Sequence, residues 1–382
     1  MITRVHNWAT HIENIELVLF ITFSIFAFIQ FFYLFRIYLP VLVYKTPKQR
    51  VHAPISVIIS AKNEAENLKN NLEKVLDQNH PNFEVIVVND GSTDQTDEVI
   101  GAYLSKYSNL KTTSIPPPGD PKFTHGKKLA ITVGIKAASH DWLVFTDADC
   151  WPETSNWLSS IQTGFTKKDI VLGYGGYAIK KGLLNSFIRF ETLNIAFMYL
   201  GFALIRKPYM GVGRNMAYKK QLFFNNKGFA NHYGLLSGDD DLFVNETATA
   251  TNTGIVIDKT SITRSEPKTR LMDFFNQKVR HLSTASAYKP IHAFRTGMEP
   301  ISRAWYFFLF IILASNQAFL IPVLSIFAAR FFLQLAIYIA SGKKFGEKKL
   351  WLGFIIFDVF SLFFNFLAYF ALIIRRKIIQ WK

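Results

Sequence analysis

Three apolar blocks frame a middle region in which strand and helix patterns alternate. Leu17 to about Phe35 is an almost uninterrupted run of Leu, Ile, Phe and Val, close to the roughly 20 residues a bilayer-spanning helix needs. Two further blocks, Ala304 to Ala340 and Leu350 to Ile374, close the sequence. Between them, Ile55 to Ser60 is a β-branched run set off by Pro54, and Glu64 to Gln78 carries Leu68, Leu72, Val75 and Leu76 at helical spacing. Phe83 to Val88 reads as a second strand, ending in the turn-forming Asn89-Asp90-Gly91-Ser92-Thr93-Asp94 that opens another helix. A proline-rich loop, Pro116 to Pro121, precedes Gly126-Lys127-Lys128 and a helix to about Ala138, which feeds a buried strand running from Asp141 to Cys150. Strands alternating with helices predict an α/β domain, with a mostly parallel sheet covered on both faces and ligands held beyond the carboxyl ends of the strands. Asn63, Glu64, Asp90, Asp147 and Asp149 all fall there.

The flanks of the apolar blocks bear on topology. Glu13 and Glu16 precede the first block and no small-residue cleavage site follows it, so a retained anchor is expected. Arg36, Lys45, Lys48 and Arg50 come after it, which predicts a cytoplasmic domain and an integral protein of the cell or inner membrane. Ala304 to Ala340 exceeds one span and contains Ser315-Asn316-Gln317 and Pro322, so it fits one broken helix or a tight hairpin. We take the hairpin, giving three C-terminal segments, although the basic loop Lys343 to Lys349 and the tail Arg375-Arg376-Lys377 then fall on opposite sides, against the charge rule. Asp358, inside the last block, should face protein. Leu183 to Ile205, interrupted by Arg189 and Glu191, is a poor span; an interfacial amphipathic helix and a buried core helix fit it equally.

Composition agrees with a membrane protein. Of 382 residues 49% are apolar, 37 of them Phe, and the formal net charge is +15. No aromatic-interleaved basic motif of a nucleic-acid module is visible, so the excess charge points to a membrane surface or an anionic substrate and not to nucleic acid. The single cysteine, Cys150, excludes an internal disulfide.

Several polar clusters carry candidate chemistry. Asp147 and Asp149, one residue apart, would present oxygens to the same side of a strand and so to one Mg²⁺ or Mn²⁺, although an isolated pair of this kind is more often a solvated strand end. Lys127 is a candidate phosphate contact, against the helix dipole. Leu172 to Tyr177 is glycine-rich and predicted to be a strand that a ligand approaches closely. Asp239-Asp240-Asp241 crowds three acids in a basic chain; mutual repulsion raises the pKa of at least one, as a general base requires, and the same acids suit a helix start. On a later helix Gln277, Arg280 and His281 share a face.

Ile55 to Glu64 with its Ser-Ala-Lys-Asn-Glu ending, Val85 to Asp94, the Gly126-Lys127 helix and the Thr146-Asp147-Ala148-Asp149 strand end together resemble the nucleotide-binding half of a family 2 glycosyltransferase, in the right order. The resemblance implies a GT-A fold, Rossmann-like, flanked by transmembrane helices: 1–44 an anchor, 45–290 a cytoplasmic domain (52–150 nucleotide-binding, 151–290 acceptor and catalytic, with the possible interfacial helix 183–205), 304–340 one or two spans and 350–374 another. It implies that Ala61, Asn63 and Glu64 line the nucleoside pocket, that Asp90 meets the base, and that Asp147 holds ribose or sugar while Asp149 is the direct metal ligand. Gly211 to Ala217 resembles the family's acceptor-side segment, with Asn215 the residue carried over. The acidic cluster resembles the catalytic motif whose second acid is the base, Asp240 by that register, with Asp239 and Asp241 open as alternatives. Gln277 to His281 resembles a Gln-x-x-Arg-Trp motif, with Arg280 and Gln277 toward the donor diphosphate and His281 in place of the acceptor-side Trp; that replacement argues for one or a few additions per acceptor. The implied activity is inverting transfer from a nucleotide-diphosphate sugar, UDP-linked, to a hydroxyl of a lipid-linked or saccharide acceptor at the membrane. Transfer to polyprenyl phosphate and a non-catalytic nucleotide-sugar-binding subunit are the alternatives.

Overall fold

A computed structural model describes residues 2–47, 52–116, 126–235, 237–315 and 317–375. Lys48 and Arg50 of the basic flank, residues 117–121 of the proline-rich loop, Leu236, Asn316, Arg376 and Lys377 lie outside the described residues. The strands are β1 (Ile55–Ala61), β2 (Phe83–Asp90), β3 (Leu110–Ile115), β4 (Trp142–Phe145), β5 (Cys150–Pro152), β6 (Ile170–Leu172), β7 (Gly175–Tyr177), β8 (Met216–Lys219), β9 (Thr253–Ile255) and β10 (Thr263–Ser265). Seven form one sheet in the order β3-β2-β1-β4-β8-β6-β9. The half from β3 to β4 is parallel, as expected, but β8 runs antiparallel to both β4 and β6. A second, three-stranded sheet has the order β5-β10-β7.

Period two decides the two cores. Val57, Ile59, Val85, Val87 and Val144 face one layer, while Ile58, Ile86, Val88, Leu143 and Phe145 face the other. Helices α1 (Ile2–Phe32), continued by a π-helical stretch Tyr33–Tyr38, and α2 (Leu39–Val43) precede the sheet; α3 (Ala65–Leu76), α4 (Thr96–Leu104) and α5 (Lys127–Ala137) connect its parallel strands. The glycine-rich stretch is two strands rather than one: the chain leaves β6 at Gly173 and enters the other sheet at Gly175. A Cβ on Gly173 would sit 2.7 Å from the Asn215 side chain, so the missing side chain makes room for protein and not for a ligand.

After α6 (Trp157–Ile161), α7 (Leu183–Leu204) resolves its ambiguity toward the core. Arg189 and Glu191 are 3% and 4% exposed, and each has an opposite charge: Arg189 Nε donates to Glu347 at 2.7 Å and Lys278 Nζ to Glu191 at 2.8 Å. It is therefore not an interfacial helix. Next come α8 (Lys220–Asn225), α9 (Asp241–Thr247) and α10 (Leu271–Leu282), then α11 (Pro290–Leu313), α12 (Leu320–Lys344) and α13 (Phe354–Arg375). The block Ala304 to Ala340 is thus a helical hairpin, broken between Leu313 and Leu320. Phe23 and Ala27 of α1 pack with Tyr306, Leu309 and Leu313 of α11 and Val323 of α12. Among the described residues, four helices are long and apolar enough to cross a membrane: 14–43, 183–204, 320–344 and 354–374; of these the second is mostly buried in protein. Asp358 meets Arg303 Nη1 at 2.6 Å and Arg330 Nη2 at 2.9 Å, facing protein as its cost in lipid requires.

Candidate active site

The carboxyl ends of β1, β2 and β4 converge on one edge, and the second half of the domain closes over it. Strand β4 stops at Phe145, so Asp147 and Asp149 lie in the turn that follows, where Cys150 N donates to the Asp147 carbonyl at 3.0 Å. Turn geometry, and not strand alternation, brings the two carboxylates together: ligand atoms of Asp147, Asp149 and Cys150 lie within 4.8 Å of one another. Burial and the neighbouring Asp147 raise the Asp149 pKa, the mark of an anion pair short of positive charge. Two hard carboxylate oxygens on one side of a turn suit Mg²⁺ or Mn²⁺; the Cys150 thiol, buried and donating to Asp149 Oδ1 at 3.2 Å, is a poor ligand for either.

Lys127, the first residue of α5, bridges the two halves. Its Nζ lies 2.8 Å from Asp147 Oδ1 and 3.0 Å from Asp239 Oδ2. Burial raises the Asp147 pKa by disfavouring the charged form, and the Lys127 ammonium outweighs it, leaving the carboxyl below its ordinary value.

 

The three adjacent acids divide into three roles. Asp241 is 9% exposed, and its Oδ2 accepts from Thr284 Oγ1 at 2.5 Å and Tyr288 OH at 2.9 Å, so it braces the segment leading into α11. Asp239 is held by Lys127. Asp240, the N-cap of α9, keeps a partly open carboxylate: Oδ2 accepts from Gly213 N and Oδ1 from Asp241 N, both at 2.7 Å. Burial and the charges of Asp239 and Asp241 push its pKa up to about 7.

The other expected residues separate into those at the site and those beneath it. Glu64 is half-buried, with its pKa raised by burial and by the nearby Asp149 and Asp147. Asp90 is 3% exposed, with Lys62 Nζ 3.9 Å away. Asn63, in the left-handed region at φ 56°, accepts from Thr93 N at 2.8 Å and so ties the loops after β1 and β2 together. Two of the expected residues lie beneath the surface of the site. Ala61 is 1% exposed and belongs to the core, so its side chain supports the pocket and does not line it. Asn215 is fully buried: its amide donates to the Tyr174 and Ser261 carbonyls at 2.7 Å each and its oxygen accepts from Trp157 Nε1 at 3.0 Å. It locks the two sheets together and leaves no polar atom for an acceptor. Gln277 Nε2 donates to Tyr177 OH at 3.1 Å, while Arg280 and His281 are exposed on α10. Arg214 was not singled out in the sequence, yet its guanidinium stacks 4.5 Å over the Tyr177 ring and its charge reaches Asp147 and Asp149. A cation beside Asn215 in an otherwise small-residue segment was the available signal.

One sheet edge thus carries paired carboxylates, a lysine between two acids and a carboxylate poised near neutrality, on an α/β fold of GT-A type. Residues 56–224 match the model of glycosyl transferase family 2. The chain is 33% identical over 143 residues to a poly-beta-1,6-N-acetyl-D-glucosamine synthase of Staphylococcus epidermidis, covering 36% of this chain and 33% of that protein. It is 30% identical over 152 residues to the probable glycosyltransferase YdaM of Bacillus subtilis, covering 38% and 36%. The matched stretches thus span about a third of these relatives' length. The mannosyltransferase PcManGT of Pyrobaculum calidifontis, solved with GDP-Man and Mn²⁺, shares the fold at TM-score 0.58 and 16% identity, over 91% of this chain and 98% of that one. Residues 56–224 thus resemble a family 2 glycosyl transferase domain, on a fold of GT-A type. The family match ends before Asp239 and α10, so those residues rest on the structure.

Proposed function

We propose that the protein is a membrane-bound inverting glycosyltransferase that moves a sugar from a nucleotide-diphosphate donor, UDP-linked, to a hydroxyl of a lipid-linked or saccharide acceptor. The observation that carries this reading is Asp240, with a pKa of about 7, beside Lys127 and the Asp147–Asp149 pair. Glu64 and Asp90 hold the nucleoside end. Asp147 orients the ribose or sugar, and Asp149 with Asp147 would hold Mg²⁺ or Mn²⁺. When bound, that cation supplies positive charge against the diphosphate. Arg214 and Arg280 add charge-assisted contacts to the same phosphates.

Asp240, ionised, accepts the acceptor hydroxyl proton as that oxygen attacks the anomeric carbon from the face opposite the diphosphate. One displacement inverts the configuration. The relatives' printed names, one a polysaccharide synthase, support a saccharide acceptor, and the apolar helices support a membrane setting. The test is release of nucleoside diphosphate by the purified protein in membrane lipid, across a panel of nucleotide sugars with and without Mn²⁺. Turnover of one UDP-sugar that depends on cation and acceptor is expected; donor binding without turnover under every condition refutes the assignment.

A further inference from the structure

Helix α13 is long and apolar enough to cross a bilayer; Phe354 and Asp358 at its start meet Phe331, Tyr338 and Arg330 of α12 and Arg303 of α11, and from Phe357 onward it packs on α7 and α10 of the catalytic domain. Its beginning is pinned by the preceding loop. Glu347, 1% exposed, accepts from Arg189 Nε at 2.7 Å, from Tyr174 OH at 2.9 Å and from Arg264, while Arg264 Nη2 and Arg189 Nη2 donate to the Phe345 and Lys348 carbonyls at 2.7 and 3.0 Å. Phe357 then meets Phe190 at 5.6 Å, and Phe360 meets Phe187 at 4.8 Å between ring centroids. Two turns on, Phe364 stacks on Phe274 of α10 at 5.4 Å, and Ala368 and Leu372 pack on Val279. Helix α10 is part of the domain, since Gln277 bonds Tyr177 and Lys278 bonds Glu191 of the core.

A helix leaving the domain to span a bilayer would lose such contacts after a turn or two. Here they continue from Phe357 to Leu372, roughly 22 Å of helix. The outer face is apolar throughout: Ile356, Phe363 and Phe370, seven residues apart, are 69%, 64% and 52% exposed.

We propose that α13 lies in the plane of the membrane interface, held along the catalytic domain by α7 and α10, with its outer face against lipid acyl chains, and does not cross the bilayer. This rests on the membrane-bound reading above. It also removes the conflict with the charge rule, because the basic loop 343–349 and the end of α13 then share the catalytic side. A helix half-covered by protein and half by lipid needs both apolar faces, which explains why composition alone marks it as a span.

Depth measurement separates the alternatives. In a Cys150→Ala background, Ile356→Cys, Phe363→Cys and Phe370→Cys carry a small fluorophore in proteoliposomes, quenched by nitroxide lipids at two depths. Ile321→Cys and Ile339→Cys on α12 serve as spanning controls, separated by roughly 27 Å of helix. The three α13 positions are expected within about 10 Å of one depth; a difference between Ile356 and Phe370 above that, toward the roughly 21 Å of a spanning helix, overturns the proposal. No quenching at the α12 positions overturns the membrane reading and this inference with it. Where the cysteine variants fail to fold, a protease site fused after Lys382 of the native sequence is tested in sealed vesicles with the domain outward. Cleavage without detergent is expected, and protection until detergent overturns the proposal.

Discussion

Replacing Asp240 by Asn removes the charge of the proposed base and almost nothing else. The side chain keeps its size, and Asn serves as an N-cap as well as Asp. One of the two backbone donors, Gly213 N or Asp241 N, then faces an amide NH₂ instead of oxygen, a loss of about 1 kcal/mol. Against this, a rise from 3.8 to about 7 means that ionising Asp240 costs the fold up to about 4 kcal/mol, which partial exposure to water reduces to roughly 2. Asp240→Asn is therefore expected to be at least as stable as the native protein at pH 8 while losing about 10²- to 10⁴-fold in transfer rate. The sign fixes the pH dependence. A raised acid pKa makes native stability fall as pH rises from about 4 to about 7, and the variant lacks that fall. Native transfer should rise tenfold per unit up to pH 7 and level off above it. Thermal unfolding and initial rates from pH 5.5 to 8.5, with donor affinity measured in parallel, check both arms. Full transfer by the variant with donor still bound, or a native rate flat through pH 7, would refute the reasoning.

Other substitutions test the remaining assignments. Asp149→Asn should raise the Mn²⁺ concentration needed for half-maximal donor binding by tenfold or more with unfolding unchanged, read by calorimetry. Asn215→Ala should destabilise by about 2–4 kcal/mol, since three buried partners lose their bonds, while the acceptor KM of the folded fraction stays the same. Glu84 is driven up by burial but held down to about 2 by Lys111, Ser56 and the Ser139 amide, so it contributes stability above its ordinary pKa that is lost as pH falls toward 2. Glu84→Gln should cost on the order of 2 kcal/mol at pH 7 and flatten the acid limb of unfolding.

Strand and helix order, the apolar blocks and the acids of the site were legible from residue patterns because each depends on local periodicity or on chemistry a few residues long. Strand β1 and the helix after it follow from Ile55 to Ser60 and Leu68 to Leu76 alone. Asp147, Asp149 and Asp240 stood out because carboxylates crowd there in a basic chain. Contacts between distant segments were not legible. Asn215 reads as a site residue, but only the meeting of two sheets shows its amide consumed by Tyr174, Ser261 and Trp157. Which of three adjacent acids keeps a partly open carboxylate depended on Lys127, Thr284 and Tyr288, up to 112 positions away. Composition determined that α7 and α13 are apolar; tertiary structure decided what covers them, because hydrophobic burial has no direction of its own and protein or lipid satisfies it equally.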